Sequence, residues 1–371
     1  DYRQSMDSAA NRAADLAARG LPAEMPEWLA TLGHESVRRL SGQLLIDLLR
    51  NESQAERMAD TARDMAAFVE AGLTTFDCAD HYIGVEALIG RFRREHPTLA
   101  TQLQVHTKCV PDYDRLTSCD RAYLTGIIDR SLERLGVDQL DLVQFHWWNL
   151  AQPGYVEAMG ILSDLRREGK IAHLGLTNFN TAVTREILDA GIPLVSTQVQ
   201  YSLLDSRPDQ GLVALCQERG LQLLCYGTLA GGLLSEAWLG QAEPTEPLAN
   251  RSHTKYKLII EDFGGWDLFQ ELLQALQAIA TRHGVGLGDV ATRWVIDRPQ
   301  VGSAIMGFTS TRHLPATQRI EALRLDAQDH ALLTPLLARR TGPAGDCYDI
   351  ERDKEGRHGR IMRYNQNEGR H

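Results

Sequence analysis

The stretch Leu140-Asp141-Leu142-Val143-Gln144-Phe145-His146-Trp147 precedes a segment of helical period, Tyr155–Arg167, and then Ala172-His173-Leu174-Gly175-Leu176. The two outer pieces are short and mostly apolar, the pattern of strands covered on both faces. Strand, helix and strand in succession make the unit of a parallel sheet. The same texture extends both ways. Strand-like runs lie at Leu73–Phe76 and Leu103–Val110 upstream, and at Leu194–Val199, Leu221–Tyr226 and Gly302–Gly307 downstream. Helical period marks Ala122–Leu135, Val183–Ala190, Gln210–Arg219, Leu268–His283 and Asp289–Val295. In the first of these Leu124, Ile128, Leu132 and Leu135 form one stripe, and Gly136 supplies the stop. Met58, Ala62, Met65 and Val69 make a similar stripe ahead of the first run.

Seven strands in one unbroken series suit a closed (β/α)8 TIM barrel better than a doubly wound sheet. The eighth strand is expected before Met58, with Leu44–Leu49 as the candidate in an otherwise helical N-terminal segment. The expected organisation is therefore an atypical segment at 1–55, a barrel at 56–339 and a polar C-terminal extension at 340–371. That extension reads either as a loosely held tail or as a strap across the barrel. Ala230–Gly265, rich in glycine, proline and polar residues, reads as a long functional loop. Gly284-Val285-Gly286-Leu287-Gly288 lies between helices and reads as a turn rather than a dinucleotide fingerprint.

The 371 residues are 43% hydrophobic and 24% charged, ordinary globular usage. With 49 acidic against 39 basic residues the net charge is −10, so nucleic acid is not an expected partner. No apolar run approaches the roughly 20 residues that span a bilayer, so no membrane partner is expected. The first twenty residues lack a signal-peptide pattern, and the six cysteines form no Cys-x-x-Cys pair. Reduced thiols in the cytoplasm are the expectation.

In a parallel barrel, chemistry sits at the C-terminal ends of the strands. The polar residues at those ends are Asp77 with Tyr82 in the loop beyond, Lys108, His146, Thr177 with Asn178, Gln198 and Tyr226. Each has an ordinary structural explanation taken singly, but ionisable groups at successive strand ends point to catalysis. A tyrosine hydroxyl, with a reference pKa of about 10, exchanges protons poorly at neutral pH. A buried ammonium nearby favours the phenolate, and a carboxylate compensates and fixes the ammonium. Tyr82, Lys108 and Asp77 supply those parts, and His146 is placed to orient a substrate carbonyl. A hydride source is still needed, since side chains carry none.

These residues resemble the aldo-keto reductases. The carrying text is Thr75-Phe76-Asp77-Cys78-Ala79-Asp80-His81-Tyr82, then Gly84-Val85-Glu86, Thr107-Lys108, Leu132-Glu133-Arg134-Leu135-Gly136, and Asp141 to His146. Gly169 to Phe179 and Gln198 to Leu204 continue the series. The middle spacing is most similar to the branch that includes potassium channel β-subunits and their bacterial relatives. The resemblance implies a catalytic tetrad of Asp77, Tyr82, Lys108 and His146. It implies that Thr177, Asn178 and Gln198 hold the nicotinamide carboxamide and that Tyr226 stacks on the ring. Leu229, Ala230 and Gly231 would start the loop over the pyrophosphate. Gly307, Thr309, Arg312 and His313 would meet the far end of the cofactor, NADP(H) in preference to NAD(H). His81, Trp147 and Trp148 are the candidate substrate contacts.

The implied activity is NAD(P)H-dependent interconversion of a small carbonyl and its alcohol, with the tyrosine as proton donor. The alternative is a regulatory or sensor protein that keeps the cofactor-loaded barrel with little turnover. No metal is expected: His81, His106 and His146 lack ligand spacing, and Lys108 is a poor neighbour for a cation. Oligomeric state is left open, with a homo-oligomer among the options.

Overall fold

The structure is a computed structural model, and it describes residues 41–42, 54–82, 84–245, 248, 250–308 and 310–365. Among these, eight parallel strands close into a barrel in chain order. They are β1 (Ser41–Gly42), β2 (Thr75–Asp77), β3 (Gln104–Cys109), β4 (Leu140–Phe145), β5 (Ile171–Thr177), β6 (Leu194–Gln200), β7 (Gln222–Tyr226) and β8 (Val301–Met306). Every strand run read from the sequence overlaps one of these. The ring is closed by the two residues of β1, Gly42 opposite Phe76 of β2 and Ser41 opposite Ile305 of β8. The expected strand at Leu44–Leu49 lies outside the described residues; the pair that closes the ring is just upstream of it.

The main helices are α1 (Gln54–Glu70), α2 (Val85–Glu95), α3 (Arg121–Leu135), α4 (Tyr155–Arg167), α5 (Thr181–Asp189), α6 (Leu212–Arg219), α7 (Arg251–Phe263), α8 (Gly265–His283), α9 (Leu287–Ile296), α10 (Leu314–Ala322) and α11 (Ala327–Leu337). Helix α3 begins where the Asp120 side chain accepts from the Tyr123 amide at 2.8 Å and ends at Gly136 with φ of 67°. Of the glycine-rich stretch at 284–288, residues 284–286 make the turn between α8 and α9, with Gly284 in the left-handed region, and Leu287 and Gly288 open α9. Helix α2 buries Val85, Leu88, Ile89 and Phe92 as one stripe, with Gly90 beside it. A Cβ there would stand 2.0 Å from the backbone oxygen of Arg134, so the glycine lets α2 lie against the end of α3.

The stretch at 230–265 corrects the expectation of a long loop. It contains α7, capped by the Asn250 side chain on the His253 amide, with Tyr256, Ile259, Ile260 and Phe263 buried as one stripe. Gly227 and Gly231, at φ of 79° and 65°, make room for it: a Cβ would meet Tyr256 Oη or Ser252 Oγ at 2.5 Å.

The segment after Arg340 folds back over the mouth of the barrel. Glu351 sits in the interior as the bidentate partner of Arg207, both bonds at 2.9 Å. Lys354 lies between the rings of Tyr113 and Tyr364. Of the two readings of the extension, the described part follows the strap.

Candidate active site

The register of the barrel brings its polar residues into one layer. Lys108 lies opposite Gln144, and Thr177 opposite Gln198. Lys108 Nζ donates to Asp77 Oδ2 at 2.6 Å and to the carbonyl of Cys78 at 2.9 Å, with both side chains buried. Burial alone would lower the Lys108 pKa. The carboxylate of Asp77 and the neighbouring Tyr82 outweigh it, and the group is held above its ordinary value as a firm cation. The other carboxylate oxygen of Asp77 accepts from Gln144 Nε2 at 3.0 Å and Gln198 Nε2 at 2.7 Å. The ring of Tyr82 stands 5.3 Å from Lys108 Nζ and meets His81 edge-on at 4.8 Å.

His146 follows β4, its amide bonded to the carbonyl of Cys109 at 3.0 Å. Its Nδ1 lies 3.0 Å from the carbonyl oxygen of Thr177, and its Nε2 is buried without a partner. Burial, with the charge of Arg352 second, pushes its pKa down to about 3, against the opposing Thr177 bond. Asn178 adopts φ of 62°, and its Oδ1 accepts from the Tyr226 hydroxyl at 2.8 Å. Arg352 of the strap donates to the carbonyl of Asn178 and, at 3.2 Å, to that of Trp147.

A cavity of about 350 Å³ joins these groups. Asp77, Tyr82, Lys108, His146, Thr177, Asn178, Gln198 and Tyr226 all line it, as do His81 and Trp148. Trp147 does not: it is fully buried, with Nε1 bonded to the carbonyl of Gln152 at 2.9 Å. Leu229, Ala230 and Gly231 lie in the turn after β7, Gly231 against Ser252 and Tyr256 of α7 and Leu229 near Gly288 of α9, and none of the three is in the cavity wall. Gly307 follows β8; Arg312 and His313 lie beyond it on the surface, joined by a 2.9 Å bond. Thr309 lies outside the described residues.

Sequence reading passed over several residues of the site. Gln144, buried behind Asp77 and Gln198, shares the strand parity of His146, and that alternation was its signal. Ser252, Lys255 and Tyr256 come from α7, and Tyr348 and Met362 from the strap. Lys255 stands over the rings of Tyr226 and Tyr256 at 4.7 and 5.2 Å, with its pKa lowered by burial to about 8.

The valences left over define what this layer can hold. Gln198 Nε2 is occupied by Asp77 and, at 2.9 Å, by Gln144 Oε1, which leaves Oε1 of Gln198 as an acceptor. Asn178 Oδ1 is taken by Tyr226, which leaves Nδ2 as a donor. One acceptor beside one donor matches a primary carboxamide such as that of nicotinamide.

Comparison with known proteins agrees. The model of the Aldo/keto reductase family matches residues 48–338. The chain belongs to the aldo/keto reductase family. It is 30% identical over 263 residues to a chloroplastic pyridoxal reductase of Arabidopsis thaliana, covering 66% of this chain and 68% of that one. It is 24% identical over 275 residues to an NADH-specific methylglyoxal reductase of Escherichia coli, covering 70% and 81%. A thermostable aldo-keto reductase solved with the inhibitor epalrestat matches the fold with a TM-score of 0.63 at 24% identity, over 81% of this chain and 94% of that one. As an aldo/keto reductase the protein is an oxidoreductase of carbonyl compounds, in a family that uses nicotinamide cofactors. Among the described residues, no helix is long and apolar enough to cross a membrane.

Proposed function

We propose that this aldo/keto reductase interconverts a small aldehyde or ketone and its alcohol, with Tyr82 as the proton donor. The observation that carries the reading is the buried Asp77–Lys108 pair at 2.6 Å, with Lys108 Nζ 5.3 Å from the Tyr82 ring. An ammonium in that place stabilises the phenolate left when Tyr82 gives its proton to the carbonyl oxygen. Asp77 holds the ammonium, and Gln144 and Gln198 hold Asp77. When bound, the nicotinamide supplies the hydride that reaches the carbonyl carbon.

Asn178 Nδ2 and Gln198 Oε1, with the Thr177 hydroxyl, take the carboxamide, and Tyr226 stacks on the ring. Leu229, Ala230 and Gly231 close over the pyrophosphate, with Lys255 as a nearby cation. Gly307, Thr309, Arg312 and His313 meet the adenosine end, and the cationic Arg312 favours NADP(H) over NAD(H). His81 and Trp148 contact the substrate. All six cysteines are free, in keeping with a reducing cytoplasm.

Two measurements test this. Fluorescence titration with NADPH and NADH reads binding and preference, and an equal or tighter NADH affinity overturns the cofactor choice. Stopped-flow oxidation of the bound cofactor by a panel of aldehydes and ketones reads turnover. A cofactor that binds but is not oxidised by any of them would make the protein a sensor instead.

A further inference from the structure

Arg352 comes from the strap, beyond the stretch matched by the family, yet its side chain ends between two strand ends of the barrel. Its Nη2 donates to the carbonyl of Trp147, at 3.2 Å, and to that of Asn178. Its Nη1 bonds to the carbonyl of Tyr348 at 3.4 Å, and the guanidinium stands over the rings of Phe179 and Tyr348 at 5.8 and 5.2 Å. Among the described residues no carboxylate bonds to it, and its Nε is buried without a partner. A cation is costly to hold in such surroundings, and burial pulls its pKa below the ordinary value.

That cost is matched by what the cation holds together. The β4–β5 ladder ends with Phe145 opposite Leu176. Past it, the contact of His146 Nδ1 with the Thr177 carbonyl at 3.0 Å, and then Arg352, join the two chains. One nitrogen thus ties the residue after His146 to the residue after Thr177. Asn178 also stands in the left-handed region at φ of 62°, where every residue but glycine is strained. Three bonds keep it there. Its amide donates to the Gln198 carbonyl at 2.8 Å, its Oδ1 accepts from Tyr226 at 2.8 Å, and its carbonyl accepts from Arg352. The first two come from neighbouring strands. The third fixes the peptide between Asn178 and Phe179, which would turn if Asn178 relaxed.

We infer that Arg352 is a positioning residue: it keeps Asn178 in its strained conformation with Nδ2 toward the nicotinamide carboxamide, and keeps the cofactor end of the cavity in register with the His146 end. The inference rests on the reading of Asn178 as the carboxamide donor. Arg352 does not line the cavity, so it acts through the backbone it holds. Hydride transfer depends steeply on such register, since a misplacement of about 1 Å costs on the order of a hundredfold in rate.

The test compares binding of NADPH with that of 2′-phospho-ADP-ribose, which has the same phosphates but no nicotinamide; NADH and ADP-ribose serve in the same way if the enzyme prefers NADH. In Asn178→Ala the dinucleotide should bind more weakly and the fragment as before; if it does not, the carboxamide reading fails. In Arg352→Ala the dinucleotide affinity should fall about tenfold, the weight of one hydrogen bond or one strained residue, with the fragment again unchanged. Millimolar guanidinium chloride, with sodium chloride as the ionic control, should restore part of that loss. Arg352→Met, which keeps the stem over Phe179, repeats the comparison if the alanine variant does not fold. Equal loss of both ligands, or loss of neither, while Asn178→Ala still discriminates between them, overturns the positioning role and makes Arg352 an anchor of the strap alone.

Discussion

Glu351 and Arg207 meet as a bidentate ion pair at 2.9 Å, with side chains 0% and 2% exposed. The first comes from the strap, the second from the loop after β6, and Asp205 completes the set at 2.7 Å. Removing one partner of a buried pair costs up to about 3–5 kcal/mol, and Asp205, which still faces Arg207, keeps the loss at the lower end of that range. Glu351→Ala should therefore lower Tm clearly or release the strap, opening Arg352 and Arg357 to trypsin. Burial raises the Glu351 pKa, but Arg207 overcomes it and holds the group below 4.5. Its contribution is thus complete above about pH 4.5 and lost as pH falls through the lower folded value. Trypsin sensitivity that ignores both the substitution and acidification would show the strap to be held by other contacts.

Most of the barrel was legible because strands covered on both faces have a distinctive apolar texture, broken at their ends by the polar residues of the site. Asp77, Lys108, His146 and Gln198 stood out on that contrast, and the structure brings them into one cavity. The strap was not legible in the same way. Tyr348, Glu351 and Arg352 lie in a polar stretch with no period, and they enter the interior only because Arg207 and the carbonyls of Trp147 and Asn178 receive them. Such pairings join residues more than a hundred positions apart and leave no local signal. Helix α7 was hidden for another reason. Its stripe from Tyr256 to Phe263 is short, and the prolines and glycines ahead of it dominate the composition of the stretch.

The Asp77–Lys108 pair sets up a comparison of charge with catalysis. Lys108→Met leaves Asp77 buried with amide donors but no cation, and about 3–5 kcal/mol of stability should be lost. Adding Asp77→Asn removes the stranded charge while keeping an oxygen for Gln144 and Gln198. The double variant should recover part of the stability measured by urea unfolding, yet none of the turnover. A double variant no more stable than Lys108→Met would mean that Asp77 is not charged in the native protein.

Acid should unfold the protein partly through its buried histidines. Burial lowers His106 to about 4 and His146 to about 3, against an ordinary value of 6.5. Between pH 6.5 and those values the unfolded chain binds protons that the folded chain refuses, so stability falls as pH drops through that window. His106→Gln should reduce the slope of unfolding free energy against pH by up to one proton. Urea midpoints measured from pH 7 to pH 4.5 give that slope, and an unchanged slope would show that His106 takes up a proton while folded.

Tyr82→Phe separates the proposed proton donor from its surroundings. The ring that stands 5.3 Å from Lys108 and edge-on to His81 is retained, and only the hydroxyl is lost. Cofactor affinity should change little, because the carboxamide groups of Asn178 and Gln198 are held by Tyr226, Asp77 and Gln144 and not by Tyr82. Removing a general acid costs typically 10²- to 10⁴-fold in rate. Single-turnover oxidation of bound NADPH should therefore slow by at least about a hundredfold while the titration curve for NADPH is preserved. A variant that binds and turns over normally would place the proton donor elsewhere in the cavity, whereas one that no longer binds would make Tyr82 part of the cofactor's seat.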